Sequence, residues 1–66
     1  MNDIEKLGKL FQHWKEHNIE HAETYMKWAE KTARLGQTRL SDILTRLYND
    51  AKDMDKLFDE GVNSIG

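Results

Sequence analysis

The chain is predicted to be all-α, an antiparallel two-helix hairpin that self-associates into a four-helix bundle. Three observations predict this. The 66 residues contain no proline and are rich in Glu, Lys, Leu and Ala, which favours helix nearly everywhere. Apolar residues recur at steps of three and four in two stripes, separated by one break at Leu35-Gly36. The chain is also too short to cover itself, since a domain near 60 residues buries only about 60% of the surface its unfolded form exposes. Small scaffolds compensate with disulfides, a metal or oligomerisation. With no cysteine in the chain, metal and oligomerisation remain.

Residues 1–66 are expected to form a single domain, with helix one over about 2–35 and helix two over about 38–61. Asn2 followed by Glu5 has the spacing of a capping box and starts helix one. Ile4, Leu7, Phe11, Trp14, Tyr25, Trp28 and Leu35 then follow an a/d heptad seam, with Leu10, Ala22 and Ala29 on its flanks. Gly36 suits the left-handed position after a helix C-terminus. Thr38 or Ser41 is expected to cap helix two, with Asp42 in its first turn. Helix two carries Leu40, Ile43, Leu44, Leu47, Ala51, Met54, Leu57 and Phe58 as one stripe, and is expected to end near Gly61, with Val62 to Gly66 frayed.

A short connection makes the helices antiparallel neighbours. Two helices touch along one line, and helix one is roughly 50 Å long. A single partner helix therefore does not cover Phe11, Trp14, Tyr25, Trp28 and Phe58. Pairing two hairpins does, so a homodimer or higher oligomer is expected.

Charge excludes several classes. Twelve acidic residues against ten basic ones give a net charge of −2. No basic block marks a nucleic-acid interface. No apolar run approaches the ~20 residues of a membrane span. Asn2, Asp3 and Glu5 stand where a signal peptide would be basic, so a cytoplasmic location is expected.

The centre of helix one breaks its own seam. It reads His13-Trp14-Lys15-Glu16-His17-Asn18-Ile19-Glu20-His21, and it holds all three histidines of the chain. In the frame set by Ile4 and Leu7, Asn18 takes an a position, His21 a d position and His17 the neighbouring g position. A buried polar group without a partner costs about 1–3 kcal/mol, so these side chains need one. Histidines one turn apart can share a metal ion through imidazole nitrogens. His17 and His21 are expected deepest, with His13 at the rim. His13 and His21 stand about 12 Å apart along the axis, so a two-histidine clamp completed by another helix is the better geometry. In a symmetric dimer that helix is the partner's copy. The leading reading is a small transition-metal-binding bundle for storage, delivery or sensing, with zinc or nickel as the ion and His13, His17 and His21 as the metal residues. The alternative is a structural or interaction module whose His/Asn layer only sets helix register. A pH sensor is the third reading.

Other features carry less. Trp14 and Tyr25 read as core or interface anchors. Met54, expected near the His21 level, reads as core before it reads as a soft copper ligand. Glu16, Glu20 and Glu23 read as a solvated face, from which Glu20 or Glu23 could complete a site or hold an imidazole. Asp50, Asp53, Asp55 and Asp59 read as solubility. His13 to His17 and His17 to His21 each match the H-x-x-E-H pattern of inverted zinc proteases, but the chain offers neither their distant ligand nor a cleft, and no enzyme is expected.

The segment His13-Trp14-Lys15-Glu16-His17-Asn18-Ile19-Glu20-His21-Ala22-Glu23, followed by Tyr25 and Trp28-Ala29-Glu30-Lys31, resembles a family of small uncharacterised His-rich helical proteins of anaerobic bacteria and archaea. Its pattern is H-W-x-E-H-N-x-x-H-A-E, then an aromatic residue and W-A-x-K. The resemblance covers about a third of the chain. It implies that His13, Trp14, His17, Asn18 and His21 belong to one unit, and it adds weight to metal handling without naming a metal.

Overall fold

The computed structural model describes residues 2–65. It contains two helices, α1 (Asp3–Arg34) and α2 (Thr38–Ile65), packed against each other as an antiparallel hairpin. Asn2 caps α1, its side-chain oxygen accepting from the Glu5 backbone N–H at 2.8 Å. Asp3 and Glu5 in the first turn and Lys31 and Arg34 in the last complement the helix dipole. The turn is built as expected around Gly36, whose φ is +78°. Gln37 N–H donates to the Thr32 carbonyl at 2.8 Å, and Gly36 N–H to the Ala33 carbonyl at 3.1 Å. Together these bonds form a Schellman motif, which satisfies carbonyls that the helix end would otherwise leave orphaned.

The hairpin seam is narrower and lies on a different line from the one the apolar spacing predicts. On α1 the inward positions are Gly8, Phe11, Lys15, Asn18, Ala22, Tyr25, Ala29 and Thr32. On α2 they are Ser41, Leu44, Tyr48, Ala51, Asp55, Phe58, Val62 and Ile65. Both lines advance by alternating steps of three and four, and none of these residues is exposed. Phe11, Asn18 and Tyr25 belong to the predicted frame. The second line of the α1 seam, however, is Gly8, Lys15, Ala22 and Ala29 instead of Leu7, Trp14, His21 and Trp28. Ala22 and Ala29, placed on the flank by sequence, are its centre. The rotation amounts to about 50° about the axis of α1.

Small side chains explain the rotation. Axis separation between packed helices is set by the residues at the contact. Ala22, Ala29 and Ala51 form the buried apolar core, at 7%, 3% and 4% exposure. Their size lets side chains reach the opposite backbone. Ser41 Oγ donates to the Ala29 carbonyl at 2.8 Å, and Asn18 Nδ2 to the Ala51 carbonyl at 2.6 Å. Two tryptophans on this line would hold the helices apart and break both bonds. Near the open end of the hairpin a glycine does the same work. A Cβ on Gly61 would lie 2.7 Å from Phe11 Cζ, so the Phe11 ring rests against the α2 backbone. The seam therefore continues past Gly61. Val62 and Ile65 are half-buried, and α2 continues to Ile65 instead of fraying from Gly61, while the fraying expected of Gly66 lies outside the described residues.

Gly61→Ala should expose this contact through a double-mutant cycle. Alanine gains about 1 kcal/mol of helix propensity, but overpacking against Phe11 costs about 1–3 kcal/mol. The net effect on denaturant unfolding should be destabilising in the wild type. In a Phe11→Leu background the clash is relieved, and Gly61→Ala should turn neutral or stabilising. Additive effects would place Phe11 away from Gly61.

Candidate functional site: a histidine-bearing apolar face

The residues displaced from the seam are not scattered. On α1 the positions one residue before each seam position are Leu7, Leu10, Trp14, His17, His21, Thr24, Trp28 and Lys31, and the row extends to Leu35. On α2 the corresponding row is Leu40, Ile43, Leu47, Asp50, Met54 and Leu57. Among the described residues, nine of the eleven large apolar side chains that are exposed fall on these two rows, among them Trp14 at 42%, Trp28 at 47%, Met54 at 47% and Leu57 at 63%.

Both rows lie on the same side of the hairpin. One residue back along an α-helix is a turn of about 100° in a fixed sense. On antiparallel helices facing each other, that turn leads from the shared seam to the same flank. The hairpin therefore has one apolar face running along its length, beside the seam.

The middle of that face is polar on both helices. Cross-helix bonds from Asn18 to Ala51 and from Ser41 to Ala29, with the ion pair of Lys15 and Asp59, fix which residues stand level. On that register Asp50 stands near His21, and Met54 stands near His17 instead of His21. Hence the apolar row of α1 is interrupted by His17 and His21 where the row of α2 is interrupted by Asp50. His13 lies on the side of α1 turned away from α2.

All three histidines are exposed. Their rings form a tilted column. The His13 and His17 centroids are 4.4 Å apart, and those of His17 and His21 are 6.5 Å apart. His21 stacks on Tyr25 at 6.2 Å with an interplanar angle of 20°, and Tyr25 is half-buried in the seam. Trp28 carries the Lys31 ammonium over its ring at 4.7 Å. Of the unit that the sequence singles out, Asn18 alone turns into the seam. His13, Trp14, His17 and His21 remain on the surface. Among the described residues, no group of three or more His, Cys, Asp or Glu side chains is placed to hold an ion within one chain. Glu20 and Glu23 are exposed and complete no such group.

Sequence assigns Asp50 to solubility and does not separate the exposed row of α2, because Leu40, Ile43, Leu47, Met54 and Leu57 merge there with Leu44, Ala51 and Phe58 into one broad stripe. Splitting that stripe into two adjacent heptad rows is the signal that separates them.

The seam also holds a polar layer. Lys15 donates to Asp59, and this hydrogen bond raises the Lys15 pKa against the opposing effect of desolvation, with the Asp59 and Asp55 charges adding to the rise. Asp55 Oδ1 is buried without a hydrogen-bond partner. On the flank opposite the histidines, a shallow groove of about 200 Å³ is lined by Asn18, Ile19, Ala22, Glu23, Tyr48, Ala51, Lys52 and Asp55. It is smaller than the pockets that enclose organic ligands, roughly 300 Å³ and above.

A protein-family model described as a domain of unknown function (DUF8180) matches residues 7–65. No curated protein and no solved structure matches the chain.

The rotated seam makes a direct stability prediction. Ala22→Leu should cost about 1–3 kcal/mol by overpacking the helix contact. His13→Ala, on the far side of α1, should stay within about 0.5 kcal/mol of wild type. Chemical denaturation of both variants checks this, and the reverse order would restore the predicted a/d frame.

Proposed function

The chain belongs to the DUF8180 family, and we propose from its own geometry that it acts as a self-associating helical module, two hairpins closing face to face into a four-helix bundle. The observation that carries this reading is the apolar face of Leu10, Trp14, Trp28, Leu40, Ile43, Leu47, Met54 and Leu57, all exposed on one flank on either side of a polar middle. Contiguous exposed apolar surface of this kind marks an interaction site. Its size fits one. The hairpin measures 52 × 15 × 11 Å between Cα extremes, so one long face offers on the order of 800 Å² per partner, as in a standard interface.

A second copy is the occupant the face suits best. A two-fold interface must be complementary to itself. Here apolar residues flank a polar middle on both helices, so a two-fold through that middle sets apolar against apolar and polar against polar. Handling of a transition metal such as zinc or nickel is the second reading of the same face, favoured by the placement of His17 and His21 within it. No catalytic step is part of either reading.

Sedimentation equilibrium at micromolar concentration should give at least twice the chain mass. Leu47→Glu combined with Met54→Glu should weaken association by at least about a hundredfold, since each buried carboxylate lacks a partner. Glu16→Gln, on the outer surface, should leave it unchanged. A wild-type monomer at these concentrations would refute the reading.

A further inference from the structure

We infer that the bundle interface holds a divalent transition-metal site that one chain cannot complete, built from His17 and His21 of two copies. This inference rests on the self-association proposed above and adds a ligand to it.

The first argument is incompleteness. Each chain places two imidazoles close together on its interaction face, and among the described residues no third metal-binding side chain joins them. Zinc-type sites take four ligands, with Zn–N bonds of about 2.0 Å. Two imidazoles on such an ion at tetrahedral angles have ring centroids about 5 Å apart. The 6.5 Å between His17 and His21 is near that value, and both residues are exposed. The His13–His17 pair, at 4.4 Å, also suits one ion. His13, however, faces away from the apolar flank, so a clamp built on it stays outside the interface.

The second argument is position. α1 spans Asp3–Arg34, and His17 and His21 straddle its midpoint. Two symmetries bring the apolar faces together, a two-fold along the helices or a two-fold across them. A pair at the midpoint stands level with its own copy under either, diagonally across the bundle under the first and directly opposite under the second, where α1 faces α1. A pair near one end would meet its copy only under the first. Packed helices stand about 8–10 Å apart, which leaves facing imidazoles within reach of one ion.

The third argument is charge. Four neutral imidazoles leave the dipositive ion uncompensated in a belt walled by Trp14, Trp28, Met54 and Leu47. Asp50 supplies a carboxylate at the same level from α2, one per chain, so the belt as a whole is neutral. Ligating imidazoles commonly donate their second N–H to a carboxylate, and Asp50 has the chemistry for that role. Nitrogen donors select zinc, nickel, cobalt or copper over magnesium or calcium.

The test uses the full chain, dialysed against chelator and titrated with Zn²⁺ and separately with Ni²⁺. Calorimetry, sedimentation and X-ray absorption are read on the same samples. The expected result is one ion per two chains, a zinc edge showing four nitrogen donors at about 2.0 Å, and a raised dimer melting temperature. The His17→Ala/His21→Ala variant should lose the binding and the shift while retaining its helicity, because both positions are exposed. His13→Ala should keep both.

A dimer that takes up no metal, or that binds it equally well without His17 and His21, overturns the site and leaves the self-association standing. One ion per monomer, lost with His13→Ala, also overturns it in favour of the outer clamp. A monomer under every condition overturns both proposals.

Discussion

The close approach of α1 and α2 along a line of small residues is the constraint from which the rest of the molecule follows. Ala22 and Ala29 on one helix and Ala51 on the other take the buried centre, and Gly61 yields its Cβ space to the Phe11 ring. At that separation a serine and an asparagine can bond the opposite backbone. These bonds fix the register, and with it the level at which every other residue stands. Register in turn places His21 level with Asp50 and His17 level with Met54.

A seam of alanines contributes little burial. The favourable free energy of folding is roughly proportional to the apolar area removed from water, and three buried alanines remove little. Of the large apolar side chains, which normally supply that term, Phe11, Tyr25, Leu44, Tyr48 and Phe58 are half-buried in the seam, and most of the others stand outside on one flank. Two tryptophans, four leucines and isoleucines of α2 and Met54 are thus available to a second molecule instead of the first. Hairpin formation sets the shape of the face and leaves its large side chains exposed.

The polar layers divide between two places with different tasks. Lys15, Asn18, Asp55 and Asp59 sit in or beside the hairpin seam. Their pairings tie one helix to the other, with the Asp55 oxygen left unpartnered. A lone polar position in a seam specifies register at some expense of stability, which is the role Asn18 fills toward the Ala51 carbonyl. His17, His21 and Asp50 instead interrupt the outer face. Each of them is exposed in the hairpin, so their polar groups are met by water until something covers the face.

Sequence by itself determined the local structure. Absence of proline, the Asn2 cap, the Gly36 turn and two apolar stripes are short-range features, because helix hydrogen bonds and caps span five residues or fewer. It also brought His13, His17 and His21 onto one column, since residues four apart on a helix are neighbours wherever the helix packs. Only the tertiary structure decided which of two adjacent heptad rows turns inward. Both rows on each helix are compatible with a 3.5-residue period, and hydrophobicity favours the row with Leu7, Trp14 and Trp28. Packing favours Gly8, Ala22 and Ala29, because two helices joined by a tight turn come closest where side chains are smallest. That choice depends on the facing helix, which no window along one helix contains. For the same reason Asp50, far from the histidines in the chain, came level with His21 only when the hairpin closed.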